Sequence, residues 1–312
     1  MGNKALNEGR YEEAITFYNE TLAFDPTNKD ALNNRGVAKI ESDHPYEAIL
    51  DYNSALVQDP GFEDALFNRA FAYEKIGKLK KALVDTDKLL AAKKDSAFIH
   101  FYKGLVLTKL REYDSALVSF KIADSLAPQN AETLINIATV HYFREEMEKS
   151  KLVLKDVYQL EPSNPNASNL ACLIALAEKQ FAASLDYINQ ALEQVPGEPY
   201  FLNNRGFIYL QMDSLDRALV DINRSIVLNP ENGWAYRNKG IYQLRKGEYS
   251  LAIDLFDRAL ETGEFIDEIY HFLGTTYYKS GQPKKACESW QIGKERGEMK
   301  AVEKHQLFCS ES

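Results

Sequence analysis

The chain has 312 residues, with 37 Lys and Arg against 46 Asp and Glu and a net charge of −9. That balance argues against a nucleic-acid backbone as the main partner, since phosphate contacts need clustered Lys and Arg; a basic or neutral polypeptide suits it better. No long apolar run occurs, so no membrane-spanning helix is predicted, and three cysteines at 172, 287 and 309, without a CxxC pair, define no disulfide framework and leave the redox compartment open.

The elements follow a fixed period. LNNRG at 32–36 returns at 202–206, and prolines at 26, 60, 128, 162, 196 and 230 keep the same beat. Both spacings are whole multiples of a 34-residue period. Steps of that period from Gly2 reach Gly36, Ala70, Gly104, Ala138, Cys172, Gly206, Gly240 and Gly274. From Ala14 they reach Ala48, Ala82, Ala116, Ser150, Ser184, Ala218, Ala252 and Ala286, and from Tyr18 a bulkier column that ends in Phe256 and Trp290. A register unbroken from residue 2 to residue 290 marks a solenoid, in which each unit buries its apolar face only against its neighbours.

In chain order, residues 1–28 read as a truncated first repeat, because Met1 falls at its seventh position. The natural chain is expected to begin upstream, where a removed targeting sequence would lie. Localisation is therefore open between the cytoplasm and, after such removal, the periplasm. Residues 29–298 hold eight further 34-residue repeats. Within 63–96, apolar residues at 66, 70, 73 and 76, and again at 79, 82, 83, 86, 89 and 90, predict two helices joined by a turn at Gly77. The recurrent Pro closes a unit because it cannot continue a helix interior. Residues 297–309 predict a C-terminal capping helix with Met299, Val302, Gln306 and Cys309 on one side.

Gly36, Ala48, Tyr52 and Pro60 stand at the spacing of a small residue, an Ala, an aromatic and a Pro that resembles the tetratricopeptide repeat. So do Gly104, Tyr113, Ala116, Phe120 and Pro128, and likewise Gly240, Tyr249, Ala252 and Phe256. The resemblance covers nearly the whole chain, although Leu, His, Ser or Tyr replaces the family's Trp near the start of each unit. It implies an all-α, right-handed superhelical solenoid of helix-turn-helix repeats. It also implies a non-catalytic protein–protein interaction scaffold that binds an extended polypeptide segment in its concave groove. Alternatives are a structural solenoid that self-associates through an open N-terminal end, and the regulatory arm of a larger assembly.

Two sets of side chains stand out. Arg35, Arg69 and Arg205 occupy one column, and in those same repeats another column is Asp51, Asp85 and Asp221. The two switch together, so antiparallel packing of the helices predicts intra-repeat ion pairs. The second set lies where the family's first helices line the groove. Asn34, Asn68, Asn136, Asn204 and Asn238 form an amide ladder, each both donor and acceptor and so suited to the main chain of a peptide. Phe67, Phe71, Phe98 and Phe101 form one aromatic patch, and Tyr200, Trp234 and Arg237 a second; aromatics with Arg are typical anchors. A carboxylate clamp of the kind one subtype carries is not predicted, because Asp64 and Asn68 stand where it needs basic residues. The five His include no HExxH, and no Gly-rich phosphate loop or GxSxG elbow occurs, so no catalytic residue, metal site or cofactor is predicted.

Overall fold

Each 34-residue unit folds as two helices because its apolar residues recur at helical spacing and a single left-handed residue breaks them midway. The computed structural model describes residues 1–309. Among these there are nineteen helices and no strand. The chain divides into two compact units, Met1–Leu160 and a second that begins at Glu161.

The first unit holds α1 (Gly2–Asn7), α2 (Tyr11–Phe24), α3 (Lys29–Glu41), α4 (Pro45–Gln58), α5 (Glu63–Lys75), α6 (Leu79–Ala92), α7 (Ala97–Lys109), α8 (Tyr113–Leu126), α9 (Ala131–Phe143) and α10 (Met147–Leu160). The second holds α11 (Pro165–Ala177), α12 (Phe181–Gln194), α13 (Pro199–Gln211), α14 (Leu215–Leu228), α15 (Gly233–Lys246), α16 (Tyr249–Glu261), α17 (Ile269–Lys279), α18 (Pro283–Glu295) and α19 (Met299–Phe308). Within each unit, first and second helices pack as hairpins and stack on the next hairpin.

The hairpin turns share one device. Gly9, Asp43, Gly77, Arg111, Glu145, Lys179, Asp213, Gly247 and Gly281 all have positive φ, and each stands one repeat after the last. Around Gly77, Lys78 N–H donates to Tyr73 O at 2.7 Å and Gly77 N–H to Glu74 O at 2.9 Å, the closure of a Schellman turn. Only the glycines adopt this conformation without a steric cost. At the other end of the first helices, Asn28, Ser96, Asn130, Asn164 and Asn232 accept backbone N–H bonds as N-caps.

Close approach explains the small columns. A Cβ on Gly104 would lie 2.6 Å from the Phe120 ring, and one on Gly274 would lie 2.5 Å from Trp290. The facing alanines, from Ala14 to Ala286, are fully buried. Where Cys172 replaces Gly and Ser184 replaces Ala, Ser184 Oγ instead donates to Cys172 O at 2.9 Å.

The C-terminal helix differs from the sequence expectation. Ala301, not Met299, is its buried residue: Met299 is exposed, and Ala301 sits against Gly293, which leaves room only for a methyl. Glu298 accepts from His271 N–H at 2.9 Å, and Phe308 packs on Tyr278 and Trp290 with ring centroids at 4.7 and 5.7 Å. Cys287 and Cys309 form a disulfide that no CxxC spacing signalled. The two cysteines meet because α19 folds back along α18, a tertiary fact that their separation in sequence does not reveal.

Candidate functional site

The first-helix face of the first unit is built from α3, α5 and α7. On it, Phe71 and Phe98 are exposed by 44% and 59%. Phe67 is half-buried and supports Phe98, with ring centroids at 5.1 Å, while its other side meets the edge of Tyr102 at 5.2 Å. Phe101, expected beside them as an open anchor, packs against Phe120 at 5.7 Å and joins the hairpin core. A cavity of about 420 Å³ lies next to Phe71, lined also by Ile40, Glu41, Glu74, Lys75 and Lys109. Glu74 accepts from Tyr102 Oη at 2.8 Å and from Lys109 Nζ at 2.7 Å. Burial, reinforced by Glu74, pushes the Tyr102 phenol well above its ordinary value, so it stays a neutral donor.

In the second unit, Tyr200 is exposed by 39%, and its hydroxyl donates to Glu264 at 3.1 Å. Glu264 also accepts from Gly233 N–H at 2.9 Å, at the start of α15. Burial first, then Glu264, pushes the Tyr200 phenol up to about 12. Trp234 is half-buried. Arg237 is not an open anchor, because its guanidinium lies beneath the surface, 5.0 Å from the Phe207 ring, 5.4 Å from Trp234 and 5.1 Å from Phe272. Its Nη1 donates to Asn238 at 3.0 Å, and Glu268 lies 3.7 Å away. Burial lowers Arg237 to about 10, against a smaller opposite pull from Glu268. The cage joins α13, α15 and α17, and it also buries Asn238.

The amide ladder is engaged inside the protein. Asn68 donates to Asn33 at 2.9 Å, Asn204 to Asn169 at 2.8 Å, and Asn238 to Asn203 at 2.8 Å, each in the preceding repeat. Asn34 donates to Asn3 at 3.2 Å and Asn136 to Glu132 O at 2.9 Å. Four of the five therefore clasp successive first helices, and Asn136 bonds within its own. The acceptors Asn33, Asn169 and Asn203 escaped the sequence reading, although they recur one position before the ladder.

The charged columns meet as forked pairs. Arg35 Nε and Nη2 lie 2.9 and 2.5 Å from the Asp51 carboxylate. For Arg69 and Asp85 the distances are 2.7 and 2.6 Å, and for Arg205 and Asp221 they are 2.7 and 2.9 Å. In each case Nη1 donates to an Asn of the preceding repeat, Asn19, Asn53 or Asn189. Burial would lower Arg69, but the hydrogen bonds and charge of Asp85 outweigh it and hold Arg69 above its ordinary value. Each fork is closed by the carboxylate of its own repeat.

A family model described as "TPR repeat" matches residues 2–41, and one described as "Tetratricopeptide repeat" matches 203–265. The same 34-residue hairpin runs between those stretches in one register. The chain carries tetratricopeptide repeats. As a tetratricopeptide repeat chain it is similar to Hsp70-Hsp90 organizing protein 2 of Arabidopsis thaliana, 23% identical over 272 residues, which are 84% of this chain and 40% of that protein. It is also similar to a protein O-mannosyl-transferase of Homo sapiens, 24% identical over 162 residues, 51% of this chain and 18% of that protein. The chain thus spans less than half the length of these relatives. A solved tetratricopeptide repeat protein from Parabacteroides merdae shares the fold, with a TM-score of 0.66 at 17% identity, over 80% of this chain and 98% of that one.

Proposed function

We propose that this tetratricopeptide repeat chain is a non-catalytic scaffold that holds an extended polypeptide segment against the first-helix face of its first unit. One observation carries the reading: Phe71 and Phe98 stand exposed on neighbouring first helices, beside a cavity of about 420 Å³ with Lys75 and Lys109 at its wall. Exposed aromatics backed by a rigid ring such as Phe67 lose little side-chain freedom on binding and make good anchors. The name of the Arabidopsis relative, an organizing protein for Hsp70 and Hsp90, describes a protein that brings other proteins together. With much of the amide ladder committed to inter-repeat bonds, aromatic burial supplies most of the affinity. Asn136, whose bond runs to its own helix rather than to a neighbouring repeat, adds main-chain contacts.

The test is selection of short peptides from a random displayed library against the whole chain, followed by anisotropy titration. Phe71→Ala and Phe98→Ala are each expected to weaken the selected peptides by about 1–3 kcal/mol with the fold intact by circular dichroism. Peptides whose affinity is the same in both variants would show that this face is not the docking site.

A further inference from the structure

The second helices of the first unit carry a different surface. Leu50, Val84, Val118 and Leu152 occupy one repeat column on α4, α6, α8 and α10, and each is more than half exposed. The repeat does not demand this, because the same column in the second unit reads Asp186, Val220, Asp254 and Glu288. An aliphatic side chain left in water adds nothing to folding, so four in one column form an apolar stripe of the kind that marks contact surfaces.

At its N-terminal end the stripe meets a cavity of about 340 Å³, lined by Tyr46, Leu50, Tyr73, Ile76, Lys78 and Lys81 among others. Lys78 Nζ lies 5.7 Å from the Tyr46 ring centre and Lys81 Nζ 5.4 Å from that of Tyr73. Lys78, Lys80 and Lys81 make no ion pair among the described residues, whereas Lys75 reaches Asp43 at 2.9 Å and Lys88 lies 3.8 Å from Asp85. Two ammonium groups without an ion pair, Lys78 and Lys81, thus wall a cleft whose one carboxylate, Glu47, lies 3.7 Å from Lys39, the reverse of the field expected from a chain with a net charge of −9.

We propose that this second-helix surface binds an acidic amphipathic polypeptide segment, its aliphatic row laid along Leu50 and Val84 and a carboxylate set between Lys78 and Lys81. The cavity takes one apolar side chain of the segment, the phenol rings wall it, and the lysines set polarity and register. This site does not depend on the first-helix face, so one chain can hold two segments at once.

The test uses a fluorescein-labelled helical peptide made of leucine and glutamate, and a counterpart with lysine for every glutamate, titrated against the whole chain by anisotropy. The Leu/Glu peptide is expected to bind at least about tenfold more tightly than the lysine peptide, and its affinity to fall as salt rises. Lys78→Glu/Lys81→Glu and Leu50→Asp/Val84→Asp are each expected to weaken it about tenfold or more, while Phe71→Ala/Phe98→Ala leaves it unchanged. The salt series on the unaltered chain needs no variant to fold. Equal affinity for the two peptides, no binding of the Leu/Glu peptide, or affinity indifferent to the surface variants and to salt would each overturn the proposal. Capture of the chain by phosphatidylserine vesicles without peptide binding would also overturn it, in favour of a membrane surface.

Discussion

In the repeated LNNRG, every residue has a partner. Leu32 and Leu202 enter the core. Asn33 and Asn203 accept from the next repeat, and Asn34 and Asn204 donate to the previous one. Arg35 and Arg205 grip Asp51 and Asp221, while Gly36 and Gly206 let the second helix approach. The fork makes a testable claim at Arg69. Asp85 is 2% exposed, so Arg69→Leu strands a buried carboxylate, and a loss of about 3 kcal/mol is expected in chemical denaturation. The double change Arg69→Leu/Asp85→Leu should recover most of it, and coupling near zero in the cycle would contradict the pairing. The Arg and Asp columns were legible because they switch together. The third members, Asn19, Asn53 and Asn189, were not, because an amide is compatible with many partners and shows no charge pattern to follow. A second residue-scale test concerns His271. Burial holds its imidazole below the ordinary value of 6.5, against a smaller upward pull from Glu268. A base lowered in the folded state contributes stability that is present above its unfolded value and lost as pH falls through its folded value. The melting temperature should therefore drop on acidification from about pH 7.5 to about pH 5.5, and His271→Phe should make that drop smaller; an identical drop in the variant would contradict it.

At the scale of the element, the hairpin turn is the recurring unit of construction. Its left-handed position holds Gly in some repeats and Lys179, Arg111 or Glu145 in others. Lys179→Gly relieves a steric cost at an exposed turn and is expected to stabilise by about 0.5–1 kcal/mol, and Gly77→Ala to destabilise by a similar amount. A lower denaturant midpoint for Lys179→Gly, or a higher one for Gly77→Ala, would contradict the shared geometry. The four glycine turns were legible in sequence, but the non-glycine turns were not, since only the register of the period assigns Lys179 the backbone of Gly77. The exposure of site residues was less legible still. Arg237 stands on the groove side of its helix by position, yet rings from α13, α15 and α17 close over it. Burial of that kind depends on three helices at once, which no single-helix pattern encodes.

At the scale of the molecule, the fold was readable because a solenoid repeats one local solution, and an unbroken 34-residue register leaves few other ways to bury the apolar columns. Function was less readable, because the same columns serve packing in every unit. What distinguishes the first unit is what packing does not require: Phe71 and Phe98 in the open on first helices, and a separate stripe on second helices. The central claim is that the first-helix face receives the partner. Hydrogen–deuterium exchange of the whole chain, with and without a peptide selected against it, locates the contact directly. Docking on Phe71 and Phe98 predicts added protection in α5 and α7, with the second unit unchanged. Protection confined to the second helices, or to the second unit, would contradict it.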